Sequence, residues 1–531
     1  MLAWPRTSLM VRISTRKRRA IHLSNELKEK VAMKYWGREK ELEALEQLTS
    51  CNSTANLIVI SGERNIGKTT LVKKSLANRE GFLYFQISMT TPHMLFAEFT
   101  EGMADQIHGF EGTKDVKDFR SFFELLFQEM SKASFNVVFD DFMNLPHVDH
   151  HALYEFQRLW DQKHETISGS VVLISSDLYH TNETFIKVDG LLTGRTDRII
   201  QLNPLSPNVV ADILNDNGVD SDKHLLFYYT LFGGYPYYYS LLYHHELFHT
   251  KNPYKLIDIL FCQPHSLLRD EGYNILCKQL GKCCPAKMSI LRAISCGTTK
   301  MTKIAEVTGI KETSISKYLG QMVKNDRILD HRIPITGTTD SPKIGRYHII
   351  HPQIRFWFRY FFKIQGSISS ECNEIMTNTI KDHLDIYMEY TFREMISDFI
   401  RAKHLNSGET LNTNKNGGYW DKHDKHTVDF VVIDRNHTGI RFISCRVNGN
   451  RFTQEDAEHL LTSGARIIKK YPNWNESYIL IHYDELGSRH ESMIRKTFGI
   501  IPHDIRKLFP FTKTPSIPDT NHEPGMDVDE N

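Results

Sequence analysis

The chain has 531 residues, too many for one hydrophobic core, so several domains are expected. Hydrophobic residues at 40% and charged residues at 24% describe a globular protein, and a net charge of +1 confines any nucleic-acid footprint to a local patch. No apolar run is long enough for a membrane helix, and the eight cysteines are scattered with no CxxC pair, which argues against a zinc site and for reduced thiols in a cytoplasmic protein.

In chain order, residues 1–33 come first. Arg6, Arg12, Arg16, Lys17, Arg18 and Arg19 stand there without an acid before residue 26. That composition fits a transit peptide, a nucleic-acid-binding arm or a disordered extension ahead of Met33, which reads like a natural start. Tyr35–Leu48 sets Gly37-Arg38-Glu39-x-Glu41-Leu42 before an amphipathic helix carrying Leu42, Leu45 and Leu48. The segment NLIVISGERNIGKTTLV, Asn56–Val72, is a short apolar strand, then GxxxxGK[ST], then a helix. Its loop comprises Gly62, Glu63, Arg64, Asn65, Ile66, Gly67, Lys68, Thr69 and Thr70. The glycines let successive N–H groups curl round the phosphates of ATP, Lys68 reaches the β- and γ-phosphates, and the Thr69 hydroxyl ligates Mg²⁺.

Gly81–Ser88 reads as a second strand, and Met94–Ile107 and Asp118–Ser131 as helices. Phe135–Asp141, FNVVFDD, is an apolar strand ending in two carboxylates: Asp140 to hold Mg²⁺ and Asp141 to polarise the attacking water. Val171–Ser176 is a further buried strand. Residues 206–285 are helical and rich in aromatics, with Gly233-Gly234-Tyr235-Pro236 among them. Over 286–350, helices at Met288–Ser295, Met301–Thr308 and Glu312–Lys324 precede strands at Arg327–Ile335 and Gly345–Ile350, a winged helix-turn-helix pattern. Eleven basic and five acidic residues give it a charge of +6, and Lys311, Thr313, Ser314 and Lys317 fall on the open face of its third helix. Double-stranded DNA and a docking protein both suit that face. HPQIRFWFRYFF, His351–Phe362, carries packing aromatics, 363–385 is a polar helical connection, an αβ pattern starts at Tyr387, and 511–531 is a disordered acidic tail.

GREKEL before the P-loop, LTGRTDR with Leu202-Asn203-Pro204-Leu205, GGYP and RFWFR together resemble the archaeal-type P-loop ATPase family, grouped with the signal-transduction NTPases having numerous domains. The resemblance implies an α/β P-loop core over 34–205, a helical lid over 206–285, a winged helix over 286–352, a connection over 353–385 and a restriction-endonuclease-like domain over 386–510. It implies that Ser175 or Ser176 senses the γ-phosphate, that Arg195 is a phosphate sensor or arginine finger, and that Pro236 lies against adenine. In the nuclease-like region Glu389 and Asp429 match a metal site, with Gly418-Tyr419-Trp420-Asp421 ahead of Asp429. Ser444 and Arg446 stand where Glu and Lys are expected, which implies an inactive scaffold. The expectation is therefore a slow Mg²⁺-dependent ATPase working as a conformational switch; the alternatives are a DNA-binding regulator with structural ATP and an ATP-gated nuclease. Pathway, partner and oligomeric state are left open, and no membrane partner is expected.

Overall fold

The computed structural model describes residues 34–508, less the segments 51–54, 78–81, 111–115, 251, 264, 281–283, 336–343, 365–369, 407–413 and 435–437. The basic extension and the acidic tail expected from the sequence lie outside these residues.

Five strands form the first sheet: β1 (Asn56–Gly62), β2 (Phe82–Gln86), β3 (Asn136–Asp140), β4 (Ser170–Ser175) and β5 (Arg198–Leu202). Their order is β2-β3-β4-β1-β5, every pairing parallel. A parallel sheet is covered on both faces, which is why its strands read as continuous apolar runs. In β1, Ile58 and Ile60 face one core, with Leu45 of α1 (Glu39–Ser50) and Leu71 of α2 (Lys68–Leu76). Leu57 and Val59 face the other, a phenylalanine-rich layer from α3 (Pro92–Gln106), α4 (Phe119–Lys132) and α5 (Ala152–Lys163). With β4 between β1 and β3, three strand ends line up along one edge, where ligands of such sheets bind.

The helical segment follows α6 (Leu178–Phe185) and β5, and consists chiefly of α7 (Pro207–Asp216), α8 (Ser221–Phe232), α9 (Pro236–His244) and α10 (Glu271–Leu280). Next come α11 (Pro285–Ser295), α12 (Met301–Thr308), α13 (Glu312–Lys324) and an antiparallel ribbon, β6 (Leu329–Arg332) with β7 (Arg346–Ile349). The segment RFWFR lies in α14 (Pro352–Tyr360), whose Ile354, Phe356, Trp357 and Phe358 are buried. Helices α10 and α14 touch backbone to backbone at Gly272, where a Cβ would sit 2.4 Å from the Gln353 carbonyl oxygen and 2.5 Å from Trp357 Cβ.

One expectation is corrected here. The boundary placed between 385 and 386 falls inside α15 (Ser370–Asn406), one helix of 37 residues. Ile380, Leu384, Tyr387, Phe392, Met395 and Ile396 form a buried stripe across that boundary, so the polar residues of 374–385 are one face of a packed helix.

The C-terminal sheet comprises β8 (Asn414–Trp420), β9 (Thr427–Asp434), β10 (Gly439–Arg446), β11 (Asn475–His482) and β12 (Ile501–Asp504), ordered β12-β11-β10-β9-β8. The β8–β9 and β9–β10 pairings are antiparallel, and β10–β11 and β11–β12 are parallel. Alternation decides its two faces: Val431, Ile433, Ile440 and Phe442 meet α16 (Gln454–Ile468) and α17 (Ser488–Phe498), while Phe430, Val432, Ile443 and Cys445 join the central core. Asp424, in the β8–β9 turn, binds Lys300 at 2.5 Å and Arg346 at 2.6 Å, fastening the ribbon to this sheet.

Candidate functional site

The loop after β1 is shaped by its glycines. Gly67 has φ 92° and Gly62 φ 158°, and Asn65 between them is left-handed at φ 65°. Such backbone leaves the first amides of α2 facing into the loop, a ready anion site. Lys68 is buried, and its Nζ donates to the Gly62 and Glu63 carbonyls at 2.9 and 2.8 Å. Burial pulls its pKa down to about 8, with Asp140 and Asp141 opposing that fall.

Thr69 Oγ1 donates to Asp140 Oδ2 at 2.9 Å, and the Tyr84 hydroxyl donates to the same oxygen. Asp141 lies one residue past β3 at φ 53°, an uncommon conformation for a side-chain-bearing residue and one that concentrates at functional sites. Its Oδ2 accepts from Gln86 Nε2 at 3.1 Å. Burial and the neighbouring Asp140 raise its pKa. A hydroxyl and two carboxylates at the foot of a phosphate-shaped loop are a donor set that suits a hard cation such as Mg²⁺.

A cavity of about 570 Å³ runs over this loop. Arg64–Thr70, Asp140, Asp141 and Ser176 line it from the sheet side; Trp36 and Arg38 line it from the stretch before α1, Leu205 from the link after β5, and Ile213, Pro236 and Tyr237 from the helical segment. Pro236 thus borders the cavity over the P-loop. The GRE motif also belongs to this wall, which sequence reasoning treated only as a family signature. Gly37 N–H donates to Glu39 Oε1 at 3.0 Å, Arg38 donates to the Asn203 carbonyl and pairs with Glu41 at 3.3 Å, and Trp36 Nε1 donates to Asp216 at 3.0 Å. These bonds account for the motif's spacing.

A second cavity, of about 450 Å³, shares Arg64, Asp141 and Ser176 with the first. Glu63, Ser175, Asp177 and His180 border it, as do Lys278 from α10 and Asn325, Asp326 and Arg327 from the turn after α13. Ser175 Oγ accepts from the Asp177 amide at 3.1 Å and from Thr181 Oγ1 at 2.8 Å, while Ser176 borders both cavities. Arg195 does not join this group. Its guanidinium is held by Asp161 through two bonds of 2.6 and 2.8 Å, and it borders neither cavity.

Two contacts invisible to sequence reasoning tie the loop to the helical segment. Glu63, whose carboxyl burial pushes up, accepts from the Tyr235 hydroxyl. Asn65 Nδ2 and the Tyr238 hydroxyl both donate to Glu271 Oε1, each at 3.2 Å.

In the C-terminal sheet, Asp429 accepts from the Cys445 amide at 2.8 Å and pairs with Arg393 at 2.9 Å and Arg446 at 3.5 Å. Glu389 accepts from the Val447 amide at 2.9 Å. Asp429 is thus engaged by an amide and two guanidinium groups, whereas Glu389 holds the Val447 amide through one oxygen and its Oε2 is buried without a hydrogen-bond partner among the described residues.

Residues 35–242 match the family described as an ATPase domain predominantly from Archaea, and residues 357–460 match one described as archaeal and bacterial proteins of unknown function. An uncharacterised protein of Methanocaldococcus jannaschii is 25% identical over 410 residues, 77% of this chain and 86% of the relative. Among solved structures, the Walker-type ATPase of Pyrococcus abyssi is similar at 15% identity and TM-score 0.47, over 61% of this chain and 96% of that one. The Aeropyrum pernix ORC2 protein, in ADPNP–ADP complexes, is similar at 13% identity and TM-score 0.38, over 65% of this chain and 95% of that one.

Proposed function

We propose, from the premise that residues 35–242 are an ATPase domain of the kind found predominantly in Archaea, that this protein binds ATP with Mg²⁺ in the first cavity and hydrolyses it slowly to drive a conformational switch. The observation that carries the reading is the meeting of Lys68, Thr69 and Asp140 across the ends of β1 and β3. Loop amides and Lys68 would hold the phosphates, and Thr69 with Asp140 would hold Mg²⁺. The cation supplies charge neutralisation between the phosphates when bound. Asp141 is placed to orient a water, and an Asp there is one methylene shorter than the Glu common in the resembling family, which favours slow turnover. The Glu63–Tyr235 and Asn65–Glu271 contacts give the loop a direct hold on the helical lid.

Binding of ATP with Mg²⁺ to the full chain, followed by calorimetry, tests this. Lys68→Ala should weaken it at least about a hundredfold, since it removes the loop's cation. Asp140→Asn should spare much of the binding and stop turnover. Unchanged affinity in the first variant would overturn the proposal.

A second reading, contact with double-stranded DNA through 286–350, is favoured by one observation. Lys311 and Lys317 are exposed on α13, with no acidic partner within salt-bridge distance among the described residues. The rest of the segment's charge is partly spent, because Lys287 binds Asp326 and Asp424 takes both Lys300 and Arg346.

A further inference from the structure

We propose that Arg327 reads the terminal phosphate of a bound nucleoside triphosphate, so that the three-helix unit α11–α13 reports which nucleotide the P-loop holds. The inference rests on the ATP-binding reading and adds to it a residue from outside the ATPase domain. Arg327 borders the second cavity together with Glu63, Arg64, Asp141, Ser175 and Ser176. That cavity opens off the first at Arg64, Asp141 and Ser176, the side on which the end of a triphosphate chain would emerge past Lys68 and Thr69.

The backbone at this turn is unusual. Arg327 adopts φ 53°, a left-handed conformation that Gly or Asn adopts at lower cost. The turn is held firmly: the Asn325 and Asp326 amides donate to the Gln321 carbonyl at 2.8 and 3.0 Å, and Asp326 pairs with Lys287 at 2.5 Å. Glycine would make the same turn more cheaply. The Arg327 side chain is exposed and has no acidic partner within salt-bridge distance among the described residues. Arg195, the arginine expected to face phosphate, is instead occupied by Asp161. Arg64 belongs to the P-loop itself and carries no message beyond it. A guanidinium matches a phosphate's oxygens in a planar, two-bonded geometry that no other side chain offers.

The test compares ATP with ADP, each with Mg²⁺, by calorimetry on the full chain and its Arg327→Gly, Arg327→Lys, Lys278→Ala and Lys68→Ala variants. Glycine suits φ 53°, so Arg327→Gly should fold with undiminished Tm. It should lose about tenfold in ATP affinity while ADP affinity stays within about twofold, the scale of one charge-assisted contact. Arg327→Lys should recover part of the loss; Lys278→Ala removes the other cation bordering that cavity from outside the P-loop, and its ATP-to-ADP ratio should fall less than that of Arg327→Gly. An unchanged ATP-to-ADP ratio in Arg327→Gly would overturn the inference, as would equal losses for both nucleotides or a loss of discrimination in Lys278→Ala instead. Nucleotide binding undiminished in Lys68→Ala would be recognisably different: it would fell the ATP reading itself, and this inference with it.

Discussion

Lys68 is a buried ammonium whose only bonds among the described residues are to two carbonyls of its own loop, and burial brings its pKa to about 8. The sign of the pH effect follows. Above that value the free protein has lost the proton, whereas a bound triphosphate requires the charged form. ATP binding at pH 8.5 should therefore take up protons, measurable by calorimetry in buffers of different ionisation heat, and affinity should fall as pH rises from 7 to 9.5. Flat affinity over that range would mean Lys68 is charged throughout. Residues of this kind were legible in the sequence because the P-loop's chemistry is local: glycines, lysine and threonine within nine positions fix one another. Arg195 and Arg327 were not, because a guanidinium's role is set by what stands opposite it. Asp161 lies 34 residues before Arg195, and the surface facing Arg327 begins at Glu63.

The elements themselves were read well where one period dominates. The helices at 301–308 and 312–324 and the strands β1 to β4 of the first sheet fall where alternation and spacing put them. Contacts between elements are another matter. Gly272 looks unremarkable inside a helical run, yet it is where α10 meets α14. Gly272→Val should lower Tm and cost about 1–3 kcal/mol, the usual penalty for forcing volume into a closed contact; an unchanged Tm would show that α10 has room to shift. Tyr235→Phe cuts the Glu63 contact while keeping the ring's packing against His351, 4.2 Å away between centroids. It should leave ATP affinity within about threefold, since one hydrogen bond is lost. Hydrogen exchange in α9 and α10 should then no longer respond to ATP. A wild-type response would show that the lid is coupled through Glu271 alone.

At the scale of the whole molecule, two further outcomes are expected. If α13 meets DNA through phosphates, the Lys311→Ala, Lys317→Ala double variant should reduce the salt dependence of binding by about two units of log slope; a retained slope would assign the face to a docking protein. No cleavage of plasmid or branched DNA is expected with Mg²⁺ or Mn²⁺, because Asp429 and Glu389 are engaged by Arg393, the Cys445 amide and the Val447 amide. Cutting that vanishes in Asp429→Ala would overturn this. The departures at Ser444 and Arg446 were visible in the sequence; that Arg446 would turn to Asp429 and Asp456 was not.

The unbroken α15 has a practical consequence for anyone wishing to take this protein apart. A gene cut at residue 385 would leave Tyr387 on one fragment and Phe356 and Tyr360, against which its ring packs, on the other. Over its 37 residues, about 55 Å of rod, the helix gives Glu394 to Arg332 of the ribbon, Asp398 to Tyr229 of the lid and Glu389 to the amide of Val447. Protease digestion should accordingly nick the chain at its loops without releasing a soluble N-terminal half that ends at 385. Separate expression of the two halves should yield material that recovers its fold only when both are made in the same cell.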